Sequence, residues 1–128
     1  MALIVLDASV VIGYLDALDA HHVRAVAALE DHAEDDLRLP ASAYAEVLVR
    51  ATREGVSDAV RTELENVGLK VEPIGAEIAE QAAGLRAADR SLRLPDALVI
   101  ACGIALGADA VLTADESWGP FPLVRVIA

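Results

Sequence analysis

The stretch Ala2-Leu3-Ile4-Val5-Leu6-Asp7-Ala8-Ser9 runs five apolar residues directly into an acid. A short continuous apolar run predicts a strand buried on both faces, the pattern of a parallel rather than an alternating antiparallel sheet. An acid at the end of such a strand must be paired, capped or metal-bound, because desolvating an isolated charge costs roughly several kcal/mol or more. The same awkward setting recurs three times downstream. Glu46 separates Ala43-Tyr44-Ala45 from Val47-Leu48-Val49, Asp96 opens the apolar stretch Ala97 to Leu106, and Asp115 closes Ala110-Val111-Leu112-Thr113-Ala114. If these acids meet in space, they make a divalent-cation site.

Between these points the pattern alternates short strands with helices. Ser9 to Leu15 predicts a helix, and Asp19 is a candidate cap for the next, whose apolar positions Val23, Val26, Ala27 and Leu29 follow a helical rhythm. Leu37-Arg38-Leu39 predicts a second strand before Pro40. Residues 41–54 and 57–67 predict helices ending at Gly55 and Gly68. Lys70 to Ile74 predicts a strand near a sheet edge, since Pro73 cannot donate to a ladder. Residues 76–91 predict a long helix, and Pro95 to Leu106 another that ends at Gly107. Ala110 to Thr113 and Leu123 to Ile127 predict the last strands. The expected fold class is α/β with a largely parallel central sheet, forming a single domain over residues 1–128. In such a sheet Asp7 and Asp115 both follow strands, and ligands gather beyond the carboxyl ends of strands.

Composition narrows the function classes. With 10 basic against 21 acidic residues the formal net charge is −11, which argues against a passive nucleic-acid binder, whose footprint is basic. It suits an enzyme that holds metal ions, or a chain with a basic protein partner. Hydrophobic residues make up 55% but aromatics only 3%, so the core is expected to be aliphatic. Cys102, the single cysteine, excludes an internal disulfide and lies in an apolar helix as a small core residue. The first apolar run lacks a preceding basic stretch and stops at Asp7, so neither a signal peptide nor a membrane anchor is expected. A cytoplasmic location is the expectation.

Each acid alone has a local explanation. Asp7 can cap the following helix, Asp96 can exploit a helix N-terminus, Asp115 can serve a turn, and Glu46 can pair with Arg50 one turn on. Taken in order, however, the four resemble the PIN-domain family of metal-dependent ribonucleases. The matching stretches are Leu6-Asp7-Ala8-Ser9, Tyr44-Ala45-Glu46-Val47-Leu48, Leu94-Pro95-Asp96-Ala97-Leu98-Val99-Ile100-Ala101 and Leu112-Thr113-Ala114-Asp115. The chain's length is similar to that of the toxin half of a VapBC-type toxin–antitoxin pair. The resemblance implies a three-layer α/β/α nuclease that dimerises and is held inactive by a small VapB-like antitoxin whose C-terminal segment reaches the acids. It also implies RNA hydrolysis that leaves a 5′-phosphate and a 3′-hydroxyl.

The chemistry explains the residue types. Mg²⁺ or Mn²⁺ favours hard oxygen ligands and takes only one or two carboxylates directly, so four acids fit one or two ions. Asp7 and Asp96 are expected to make the main contacts, with Glu46 and Asp115 completing the set directly or through water. Ser9 is expected to orient Asp7 or to hydrogen-bond a water beside the ion, and Thr113 to orient Asp115. Arg86, Arg90 and Arg93 fall along one side of the predicted helix preceding Asp96, where they can meet RNA phosphates or an acidic partner. His21, His22 and His32 receive no chemistry, and Trp118, beside Gly119-Pro120-Phe121, is expected to pack. The competing reading is a catalytically silent PIN-like module that only binds RNA or protein.

Overall fold

The strand predicted over residues 2–6 forms as β1 (Leu3–Leu6) and becomes the middle of the sheet. In the computed structural model, which describes residues 1–118 and 120–127, β1 is followed by α1 (Ala8–Leu15), α2 (His22–Asp31) and β2 (Asp36–Pro40). Then come α3 (Ala41–Arg53), α4 (Ser57–Asn66), β3 (Leu69–Glu72), α5 (Ala76–Ala88) and α6 (Leu94–Leu106), with β4 (Ala110–Thr113) and β5 (Val124–Val126) last. Gly119 and Ala128 lie outside the described residues. No helix among the described residues is long and apolar enough to cross a membrane.

All neighbouring strands pair in parallel, in the order β3-β2-β1-β4-β5. The chain therefore moves outward from β1 through β2 to β3, then returns to the other side of β1 for β4 and β5. Right-handed crossovers require the helices of these two halves to flank opposite faces of the sheet. The reversal also makes a topological switch point between β1 and β4, where the loops leaving the two strands diverge and open a crevice. The register there is Ile4 to Ala110, Val5 to Val111 and Leu6 to Leu112. One step further, Asp7 comes beside Thr113.

The central strands are buried as their apolar runs require: Ile4, Val5, Leu6, Val111 and Leu112 all belong to the core cluster, with Leu37 and Leu39 of β2. Pro73 follows β3 at the sheet edge, where its missing N–H costs no ladder bond. At the far side of the fold, the Tyr14 hydroxyl of α1 donates to Glu63 of α4 at 2.6 Å. That bond, with burial and the nearby charge of Glu30, pushes the phenol up to about 12.

Two expectations need correcting. Helix α2 begins at His22 with His21 at its cap position, so Asp19 does not cap it. Asp19 instead accepts a hydrogen bond from the His21 N–H at 2.8 Å, closing a local turn that leads into the helix. Helix α5 stops at Ala88 rather than Ser91, because Asp89 accepts from both the N–H and the hydroxyl of Ser91, at 3.0 and 2.6 Å. Such side-chain bonds offer the backbone an alternative to another helical turn. Arg90 and Arg93 therefore do not share a helix face with Arg86.

Helix α6 carries Asp96 to the switch point and packs closely on the sheet. It contains Cys102, which is fully buried and whose thiol burial pushes up to about 11. Gly107, with φ of 63°, ends the helix in the left-handed region that glycine adopts without strain. Gly103 lets the helix approach β4: a Cβ there would run into the Val111 side chain and come within 3.1 Å of Leu123 Cδ2. Val111 is buried and β-branched, so it has little room to yield. Gly103→Ala is expected to cost about 1–3 kcal/mol through overpacking, read as a lower urea midpoint with an unchanged m-value.

Candidate metal centre

Asp7 occupies the cap position of α1 but makes no side-chain capping bond. The parallel register has given its carboxylate other partners. The Ser9 hydroxyl donates to Asp7 Oδ2 at 2.6 Å, and the Thr113 hydroxyl donates to the same oxygen at 2.9 Å. The Asp7 N–H donates to the Leu112 carbonyl at 2.9 Å, continuing the β1–β4 ladder by one residue. Both hydroxyls accept as well as donate: Ala114 N–H reaches Ser9 Oγ at 3.0 Å and Asp115 N–H reaches Thr113 Oγ1 at 3.0 Å. One strand end thus locks the other. Asp7 is 7% exposed, and among the described residues its Oδ1 takes no hydrogen bond.

Thr113 is expected from sequence to orient Asp115. Its hydroxyl oxygen accepts from the backbone N–H of Asp115 and does not touch that carboxylate, while its hydroxyl proton goes to Asp7. The Asp115 carboxylate is held by its own turn, accepting from Ser117 N–H at 2.8 Å and Ser117 Oγ–H at 2.6 Å. These bonds outweigh burial and, with help from the charge of Arg93, hold the group below the ordinary carboxylate range.

The other two acids come from helices. Asp96 lies in the first turn of α6, after Pro95, with the dipole of the helix N-terminus behind it. Burial pushes its carboxyl up, Arg93 opposes this, and the charges of Asp7 and Asp115 add to the rise. Glu46 projects from α3. Crowding by surrounding atoms pushes it up first and the charges of Asp7 and Asp96 next, although the side chain keeps contact with solvent. Its expected pairing with Arg50 is absent among the described residues: Arg50 binds Asp16 and Glu54, both at 2.9 Å. Asp7, which follows β1, thus acts electrostatically on both Glu46 and Asp96, and Asp115, which follows β4, acts on Asp96. Beside them opens a cleft of about 610 Å³ lined by Ser9, His21, Ala114, Asp115, Glu116 and Ser117.

The chain matches a known family over nearly its whole length: the PIN domain model aligns with residues 4–121. The chain belongs to the PIN domain family. Solved structures agree on the fold. A toxin–antitoxin complex from Klebsiella pneumoniae is similar with a TM-score of 0.81 at 23% identity, covering 98% of this chain and 96% of that one. Mycobacterium tuberculosis VapC20, described as a sarcin-ricin loop cleaving toxin, is similar with a TM-score of 0.69 at 20% identity over 84% of this chain and 86% of that one. VapBC2 from Rickettsia felis, bound to a promoter DNA fragment, is similar at 0.73 and 14% identity, over 97% and 96%. Comparison with curated protein sequences gives no match.

The donor chemistry of this PIN domain fits a hard cation. It offers carboxylate and hydroxyl oxygens, without thiolates. Among the described residues no three His, Cys, Asp or Glu side chains are grouped closely enough to hold a metal ion together. An ion that takes one or two carboxylates and keeps several waters needs no such group. His21, to which the sequence assigns no chemistry, lines the cleft because the turn at Asp19 folds it back toward Ser9. No spacing signal would reveal this. Trp118 is buried as expected, 2% exposed.

Glu46 carries a charge that its surroundings resist. Because its folded-state pKa is raised, the ionised group weakens the fold at neutral pH, and that penalty fades as pH falls through the raised value. Glu46→Gln is expected to raise the Tm of metal-free protein at pH 7 by about 1–2 °C, a small gain because solvent still screens the group. The difference should vanish below the ordinary glutamate value of 4.5, which paired melts across pH 3–8 would establish.

Proposed function

We propose that the protein is a Mg²⁺- or Mn²⁺-dependent endoribonuclease, the toxin of a type II toxin–antitoxin pair, acting in the cytoplasm. The observation that carries this reading is the treatment of Asp7. Two hydroxyls divert it from capping α1 and fix one carboxylate oxygen, while the other takes no hydrogen bond among the described residues. A purely structural acid at this position gains most by capping the helix.

In this reading Asp7 and Asp96 would hold the ion directly, with Glu46 and Asp115 contributing directly or through water. A bound divalent cation supplies activation of a water for in-line attack and offsets charge on the phosphate and the leaving oxygen. Ser9 and Thr113 keep the Asp7 carboxylate in one orientation, and the Ser117 bonds do the same for Asp115. Phosphodiester hydrolysis then leaves a 5′-phosphate and a 3′-hydroxyl, with no role for the RNA 2′-hydroxyl as nucleophile.

The partner reading, a VapB-like antitoxin, is supported by the company this fold keeps in toxin–antitoxin complexes; the homodimer rests on the family resemblance alone. A groove of about 260 Å³ adds to that support, since Ile12, Leu15, Val47, Ala51, Val56 and Val60 line it together with Glu46. A segment seated there would lie against one of the four acids.

Purified, antitoxin-free protein incubated with structured RNAs should make discrete cuts with Mg²⁺ or Mn²⁺ and none with EDTA. Asp7→Asn and Asp96→Asn should each lower the rate by about 10²-fold or more while keeping the wild-type far-UV spectrum. Full activity in either variant would remove that acid from the mechanism. Mn²⁺ binding without turnover on any RNA would favour the silent binding module.

A further inference from the structure

An RNA backbone approaching these acids meets strong repulsion, because 21 acidic residues face only 10 basic ones in the chain. Among the described ion pairs, one alone involves any of the four acids: Arg93 Nε lies 3.4 Å from Asp96 Oδ2. The arginine side chain is 75% exposed and the aspartate 14%. Two other paired arginines are held more firmly. Arg38 is 24% exposed and bridges Asp36 at 2.8 Å and Glu72 at 3.2 Å, while Arg50 is shared between Asp16 and Glu54 at 2.9 Å each. Arg93 thus has a single long contact and a guanidinium mostly in solvent.

Its backbone is fixed. Arg93 occupies the cap position of α6 in an extended conformation, its carbonyl accepting from the Ala97 N–H at 2.9 Å, and its side chain makes no capping bond. The result is an exposed cation at a helix cap, three residues before Asp96.

We propose that Arg93 is a two-position arm: it pairs with Asp96 while the acids lack a cation, and turns to an RNA phosphate when a divalent ion occupies the cluster. The inference rests on the nuclease reading above and names the residue that brings substrate to that site. A guanidinium and a divalent ion compete for the same carboxylate, so each weakens the other's hold. Once released, the planar fork of arginine matches two phosphate oxygens, which the point charge of lysine does not. The two roles predict opposite effects of one substitution, which a merely structural arginine would not produce.

The test measures Mn²⁺ affinity by calorimetric titration for the wild type, Arg93→Ala and Arg93→Lys. It then measures RNA cleavage at saturating Mn²⁺, with Asp7→Asn as the inactive control. Arg93→Ala is expected to bind Mn²⁺ about three- to tenfold more tightly, since a competing positive charge is gone. The same variant should raise KM for RNA about tenfold with kcat within about twofold, the signature of lost substrate binding. Its KM should also lose about 0.7 of a unit from its log–log salt slope. Arg93→Lys should keep wild-type Mn²⁺ affinity but recover KM only in part. Unchanged or weaker Mn²⁺ binding by Arg93→Ala overturns the competition, and unchanged KM against an active wild type overturns the phosphate contact. A wild type that cuts no RNA overturns the nuclease reading itself, and the phosphate role falls with it.

Discussion

The site depends on the placement of one carboxylate at the end of a buried strand. Asp7 directly follows Leu6, which lies opposite Leu112 in the parallel β1–β4 pair, and this register sets Thr113 beside the acid. A charge that is 7% exposed needs hydrogen bonds, and Ser9 and Thr113 supply them to a single oxygen. A one-residue slip would carry Thr113 away and reverse the faces of the apolar residues around it. The hydrophobic pattern that buries the sheet is therefore also what aims the acid.

Around that point the fold gathers charges that repel one another. Asp96 comes from the first turn of α6 and Glu46 from α3, and each is made harder to ionise by its surroundings and by Asp7. Folding alone gives no reason to hold these groups together. A ligand that binds only the folded state and carries positive charge turns the same repulsion into affinity and adds stability by mass action. The partial occupation of this role by Arg93 follows the same logic: a lone exposed cation moderates the field without filling the site.

Much of this architecture is legible in the sequence because its causes are local. The run Ala2 to Leu6 specifies a buried strand, Pro73 limits β3 to an edge, and Gly107 ends α6. The four acids in order, each against apolar sequence, point to a shared site. What stays hidden depends on distant pairing. Thr113 stands 106 residues from Asp7, and only the strand order makes them neighbours. Glu46 has Arg50 one turn away, yet Arg50 is taken by Asp16 across the groove and by Glu54. The end of α5 is a different kind of miss: Asp89 and Ser91 carried the signal in an Asp-x-Ser turn, which a helical rhythm extending to residue 91 obscured.

In the proposed reading, topology alone makes one divalent-cation site from four separated acids at the β1–β4 switch point. Anomalous diffraction from crystals soaked in Mn²⁺ tests it directly. The account predicts density beside the Asp7 and Asp96 carboxylates, within reach of Glu46 and Asp115 directly or through ordered water. Saturating Mn²⁺ that leaves this edge empty while occupying other acidic surface would contradict it.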